Sequence, residues 1–463
     1  MRGPKCWLLA LASSTVILPG CAAPATKATE ADVRRALQAT SGVVRLPHGE
    51  IEISAELVVS PQARSLKILG DPEGTVLRAA SSFQGDAVLV LRSGTGIELA
   101  GFQIDGNREA LERPIGLPPA NVAFADFYEN NGIVAAGVTD LAISDLDIRN
   151  VANFAILVAR SSQVRIERVQ VSHSGSRYPN GRNNTSGGIL LEEGTTDFRV
   201  ENSRIENVRG NGVWTHSWYG SPRNLRGRIE GNYFEQLARD AVQVGHGVDV
   251  AVVGNSGRSI GYPAEEVDAE GGGFPVAIDT AGDVERSVYA ENRFEEVDGK
   301  CVDLDGFHHG EVRANVCINR GAPESYPFGN YGIAMNNTNP DMRSEFITIR
   351  GNTMDGFLYG GLLLIGSNHR IENNRFINLN QARCNDNRTR CSYRTDREPD
   401  FLRSGIYLAG GAERPDPARE NRIENNEISG YGMERYCVVA APGVRRDTNQ
   451  ILSNRCADAE PRR

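Results

Sequence analysis

The sequence predicts an all-β fold, a single-stranded right-handed parallel β-helix (a solenoid) with a short N-terminal capping helix. Two recurrences and one continuity predict it. Segments of the form apolar-x-x-Asn recur as Ile229-Glu-Gly-Asn232, Val252-Val-Gly-Asn255, Val312-Arg-Ala-Asn315, Ile349-Arg-Gly-Asn352, Ile371-Glu-Asn-Asn374, Ile423-Glu-Asn-Asn426 and Ile451-Leu-Ser-Asn454. Asn232 to Asn255 and Asn292 to Asn315 are 23 positions apart, Asn352 to Asn374 is 22, and Ile143 to Ile166 is again 23. A unit this short holds about three five-residue strands and cannot bury its apolar face alone, so the units must stack. Asparagine at a fixed turn suits a left-handed backbone, and stacked asparagines form a hydrogen-bonded ladder. Nothing along the chain marks a second domain, so residues 29–463 are expected to be one β-helix with loop insertions.

The elements follow in chain order. Arg2 and Lys5 precede an apolar run from Trp7 to Leu18, and Leu18-Pro-Gly-Cys21 closes it. This resembles a bacterial lipoprotein signal, which implies a signal peptide at 1–20, lipidation of Cys21 and a tether at 21–28; an ordinary secretory signal is the alternative. The expected location is the cell envelope, anchored through lipid, periplasmic or at the cell surface. Ala22 implies the outer membrane if there are two. From Thr29 to Thr40, Thr29 as N-cap and Val33, Ala36 and Leu37 at helical spacing read as a helix covering the first open rung. Val44-Arg-Leu-Pro-His-Gly-Glu-Ile-Glu-Ile-Ser54, Leu57-Val-Val, Leu66-Lys-Ile-Leu-Gly70 and Ile104-Asp-Gly-Asn-Arg108 resemble the opening rungs of pectate-lyase-like β-helix proteins with PbH1-type repeats. That resemblance implies the fold and a leaning toward carbohydrate.

Export makes disulfides permissible. Six cysteines downstream fall into local pairs, giving Cys301–Cys317, Cys384–Cys391 and Cys437–Cys456 as expected bridges.

A second recurrent strand opens with a small residue: Gly188-Ile-Leu-Leu, Gly212-Val-Trp-Thr, Ala241-Val-Gln-Val, Pro275-Val-Ala-Ile, Cys301-Val-Asp-Leu, Gly332-Ile-Ala-Met and Gly361-Leu-Leu-Leu. Side chains alternate across a strand, so Val213, Val242, Val276, Val302 and Ile333 face inward and two columns face out. One outward column runs Leu190, Trp214, Gln243, Ala277, Asp303, Ala334. The next runs Glu192, His216, Gly245, Asp279, Asp305, Asn336. At a rung spacing of about 4.8 Å this makes Asp279 the neighbour of Asp305, with Asp303 on the same strand. Three clustered carboxylates are destabilising unless a metal, a proton or a substrate offsets them.

Composition narrows the partners. The 463 residues carry a formal charge of −9 with both signs mixed, against a nucleic-acid partner, and no apolar run outside the N-terminus reaches the roughly 20 residues of a membrane span. A monomer with a polysaccharide or oligosaccharide substrate is expected. Asp279, Asp303, Asp305 and His216 are the candidate catalytic residues. Glu192, Trp214, Gln243, His246, Asn336, Arg223 and Arg239 are candidate substrate contacts, Trp214 as a stacking face and the arginines as partners for a carboxylated sugar. The cluster resembles the polygalacturonase branch of the superfamily, which implies glycoside hydrolysis by aspartates on adjacent rungs. Asp279-Thr280, Asp303-Leu-Asp305 and Gly245-His246-Gly247 depart from that branch's motifs in order, so its assignments do not transfer residue by residue. Hydrolysis requires no cofactor, whereas Ca²⁺ on the aspartates would suit a uronan lyase or C5-epimerase with Lys300, His216, His246, Arg223 or Arg239 as base. A glycan-binding lipoprotein without catalysis is the third reading.

Overall fold

The computed structural model describes residues 28–268, 273–386, 391 and 399–461. The signal segment, the cleavage site and Cys21 lie outside the described residues. The chain winds as a right-handed parallel β-helix in which every strand pair is parallel. Each regular turn contributes three strands, as in Val242–Gly245, Ala251–Val253 and Ser256–Ile260, and each pairs with its equivalent one turn on. The interior is a continuous column of Ile, Val, Leu, Phe and Met, with Val213, Val242, Val302, Ile333 and Leu362 fully buried. Among the described residues no helix is long and apolar enough to cross a membrane.

The Glu30–Ala36 helix covers the first rung through Val33 and Leu37. Its N-terminus is fixed by Thr29, whose N–H and hydroxyl donate to Asp32 at 3.0 and 2.7 Å. All three expected disulfides are present.

The asparagine ladder runs from Asn232 to Asn454. Each Nδ2 donates to the Oδ1 of the next, at 3.0 Å for Asn232 to Asn255, 2.9 Å for Asn255 to Asn292, 2.8 Å for Asn292 to Asn315 and 3.0 Å for Asn315 to Asn352. The left-handed position is not the ladder asparagine itself, as expected, but the residue before it: Gly231, Gly254, Glu291, Ala314, Gly351, Asn373, Asn425 and Ser453 all have φ between 51° and 64°. The turn bends there, which leaves the next side chain aimed inward along the stack.

One register differs from the alternation reading. Val242 pairs with Ile278 and Ile278 with Val302, so the 276–285 strand sits two residues from the expected alignment. A slip of two keeps every side chain on its face, so periodicity cannot distinguish the registers. In this register the buried Thr280 hydroxyl meets that of Tyr289 at 2.7 Å inside the core. Asp279 therefore lies beside Asp303 and Gln243, and Ala281 beside Asp305.

Candidate active site

The outward face of this sheet changes character along the axis. At its N-terminal end it is apolar: Val134, Leu157, Leu190 and Trp214 are covered by Phe124, Ala125 and Tyr128 from the insertion at 107–130. Beyond Trp214 the same column continues as Gln243, Asp279 and Asp303, flooring a cleft of about 420 Å³. Arg239, Asp240, Phe274, Lys300, Asp305, Asn336, Thr338 and Glu413 are among its other lining residues.

Asp279 is positioned by a relay. Asn211 Nδ2 donates to Gln243 Oε1 at 2.6 Å, and Gln243 Nε2 donates to Asp279 Oδ2 at 2.7 Å. Asp279 is 9% exposed. Burial first, then the charges of Asp240 and Asp303, hold its carboxyl well above the ordinary range, against the pull of Lys300 and Arg239. Asp303, one rung on, is ion-paired with Lys300 through Oδ2, while its Oδ1 is buried without a hydrogen-bond partner among the described residues.

Asp240 is the member that alternation misses. It lies in the turn before the Val242–Gly245 strand, where the period of two does not apply, and its Oδ1 accepts from Val276 N at 2.9 Å. Its Oδ2 faces Arg239 Nε at 3.6 Å. Burial pushes it up to about 6, with Arg239 opposing.

The remaining candidates separate into those at the cleft and those away from it. Asp305 and Asn336 pair across adjacent strands at the cleft wall. Both Asp305 oxygens are engaged by Thr338, from N at 2.9 Å and Oγ1 at 2.7 Å, so Asp305 ties down the following loop. Burial raises it to about 6 while the Thr338 N–H holds it down. Gln243 and Arg239 also line the cleft.

The expected roles of five residues need correction. Trp214 offers no stacking face: it is 6% exposed, with Phe124 edge-on at 4.9 Å, because the 107–130 insertion closes over it. Glu192 is fully buried and accepts from Phe124 N at 3.0 Å and Ala125 N at 2.7 Å, so it anchors that insertion. Arg223 is committed to Asp283, to the carbonyl and to Oδ2, each at 2.7 Å. His216 and His246 stand together away from the aspartates, ring centroids 6.0 Å apart, the second 5.1 Å from Tyr219. Burial, then the positive field of His216 and Arg223, lowers His246 to about 4. The aromatic group at the cleft is Phe274, edge-on to Phe328 at 6.3 Å.

A family model described as "Right handed beta helix region" matches residues 120–262. No curated protein matches the chain in sequence. Among solved structures it is similar to the catalytic domain of a GH87 α-1,3-glucanase in complex with tetrasaccharides, with 15% identity over 88% of this chain and TM-score 0.49; it spans 64% of that chain. It is also similar to a mannuronic acid specific polysaccharide family 6 lyase from human gut microbiota, at 14% identity, TM-score 0.48, covering 92% and 86% of the two chains. The Streptococcus pneumoniae surface protein and adhesin PfbA aligns at 12% identity, TM-score 0.46, covering 92% and 93%. At these identities the likeness is one of fold.

Proposed function

We propose that the chain is a glycoside hydrolase acting on a polysaccharide. One observation carries this reading. Asp279 and Asp303 stand side by side on consecutive rungs at the floor of an open cleft, the first buried among negative charges and the second in contact with a cation. Two carboxyl groups with such different surroundings suit the two roles that glycosidic cleavage requires.

Asp279 gives its proton to the leaving glycosidic oxygen as the bond to the anomeric carbon breaks. Asp303, one rung spacing of about 4.8 Å away, bonds to that carbon as the nucleophile, and Asp279 then takes a proton from the water whose oxygen displaces it. Lys300 holds Asp303, Asn211 and Gln243 hold Asp279, and Phe274 gives an apolar surface for a sugar ring. A second reading, β-elimination on a uronan, is favoured by Lys300, a lysine lining the same cleft. We also propose an exported, lipid-anchored protein, a reading supported by three disulfides and by the apolar run ending at Cys21.

The test is to incubate the protein with neutral and uronic polysaccharides, with and without EDTA, following reducing ends and the ultraviolet absorbance of unsaturated products. The hydrolase reading expects reducing ends without absorbance and a loss of about 10³-fold or more in Asp279→Asn and Asp303→Asn. Reducing ends with absorbance would make it a lyase, and no product on any substrate would favour a binding protein.

A further inference from the structure

Two rungs before the aspartates, another group of donors meets on the same face. His216 pairs in register with Glu192 on the preceding strand, and Glu193 follows Glu192 directly. His216 Nδ1 lies 3.9 Å from Glu192 Oε2 and 4.0 Å from Glu193 Oε1. One donor atom from each of the three residues lies within 4.8 Å of the other two. The glutamates are 0% and 4% exposed. The imidazole Nδ1 is itself buried, with no hydrogen-bond partner among the described residues.

This arrangement is costly as it stands. Two consecutive carboxylates removed from water need a shared cation or a proton. The arginine on that side, Arg160, is held by Asp126 at 3.1 and 3.2 Å. The backbone N–H groups that reach the glutamates, Phe124 and Ala125 to Glu192 and Trp218 to Glu193, fix where the oxygens point.

We propose that Glu192, Glu193 and His216 bind a divalent metal ion of the zinc class, at a site separate from the aspartate cleft. An imidazole nitrogen with two carboxylate oxygens is a donor set for zinc, whereas calcium takes six to eight oxygens. Zinc-to-donor bonds of about 2.1 Å put tetrahedral donors about 3.4 Å apart, so closing the site takes roughly half an ångström between the imidazole and each glutamate and at most about 1.4 Å between the two glutamates. A pocket lined by Asp126, Arg160, Glu193, Trp218 and Ser221 opens beside it, with room for water in a fourth position. The ion would act as a clasp. Glu192 holds the 107–130 insertion and Glu193 holds the loop after His216, so one cation would fasten both to the same rung.

The test uses the whole protein, stripped with EDTA and titrated with Zn²⁺ and separately with Co²⁺, followed by calorimetry, elemental analysis after dialysis and thermal unfolding. The expected result is one equivalent of zinc, a higher unfolding temperature on binding, and visible d–d bands for cobalt. Glu193→Gln and His216→Gln should each weaken binding about 100-fold or more, since even outer partners of metal ligands cost 10- to 100-fold. Asp279→Asn should bind as the parent does. Circular dichroism checks that each variant folds; His216→Gln keeps the backbone carbonyl that accepts from Asn224, so it serves if Glu193→Gln does not fold. No stoichiometric zinc, parent affinity in His216→Gln, or loss of zinc in Asp279→Asn would overturn the proposal.

Discussion

Asp279 and Asp303 occupy equivalent places on consecutive rungs but meet different neighbours, and the difference has a measurable consequence. If Asp279 is the acid, activity falls on the alkaline side as it loses its proton. The charge of Asp240 raises Asp279, and Asp240, at about 6, carries that charge near neutrality. Asp240→Asn keeps an acceptor for Val276 N but removes the charge, so the alkaline limb of the pH–rate profile should move to lower pH. An unchanged limb would detach Asp240 from the acid. Gln243→Ala, which cuts the relay from Asn211, should lower kcat more than it raises KM, because it releases the orientation of Asp279 without removing a lining charge.

Among the elements, the asparagine ladder concentrates several buried hydrogen bonds on each side chain. Asn292 donates to Asn315 Oδ1 and to Val252 O, and its Oδ1 accepts from both N and Nδ2 of Asn255. Asn292→Ala strands several buried groups at once and should cost about 2–4 kcal/mol in chemical denaturation. The same substitution at Asn454, the partly buried end of the stack, should cost about half that or less. The ladder was legible in the sequence because it repeats. The register of the 276–285 strand was not, since a two-residue slip leaves the alternation intact. Asp279 and Asp303 could be chosen as site residues without knowing that they stand in register on consecutive rungs. The burial of Trp214 and Glu192 was beyond local reading, because what covers them is an insertion from some 70 to 90 residues earlier in the chain.

At the scale of the whole molecule, buried acids tie stability to pH. Asp298 is fully buried, Phe328 N donates to its Oδ1 at 3.2 Å, and Oδ2 has no partner among the described residues. Burial pushes its carboxyl up to about 8, far above its value of about 4 in an unfolded chain. A group raised by folding contributes its full stability below the unfolded value, and that contribution is lost as pH rises toward the folded one. Thermal stability should therefore decline from about pH 4 to 8, and Asp298→Asn should flatten the decline. Equal slopes in parent and variant would remove Asp298 from this role.

The two ends of the stack also differ. The first rung lies under the Glu30–Ala36 helix, whereas the last described strands, Val438–Ala440, Gln450–Leu452 and Arg455–Asp458, are partly open to water. A solenoid held by contacts between neighbours alone can peel from whichever end is uncovered. The Cys437–Cys456 bridge closes that last turn into a loop, so peeling cannot begin one strand at a time. Amide hydrogen exchange should be slow and uniform along the stack in the oxidised protein. Under reductant it should become a gradient, fastest at Arg455–Asp458 and fading inward rung by rung.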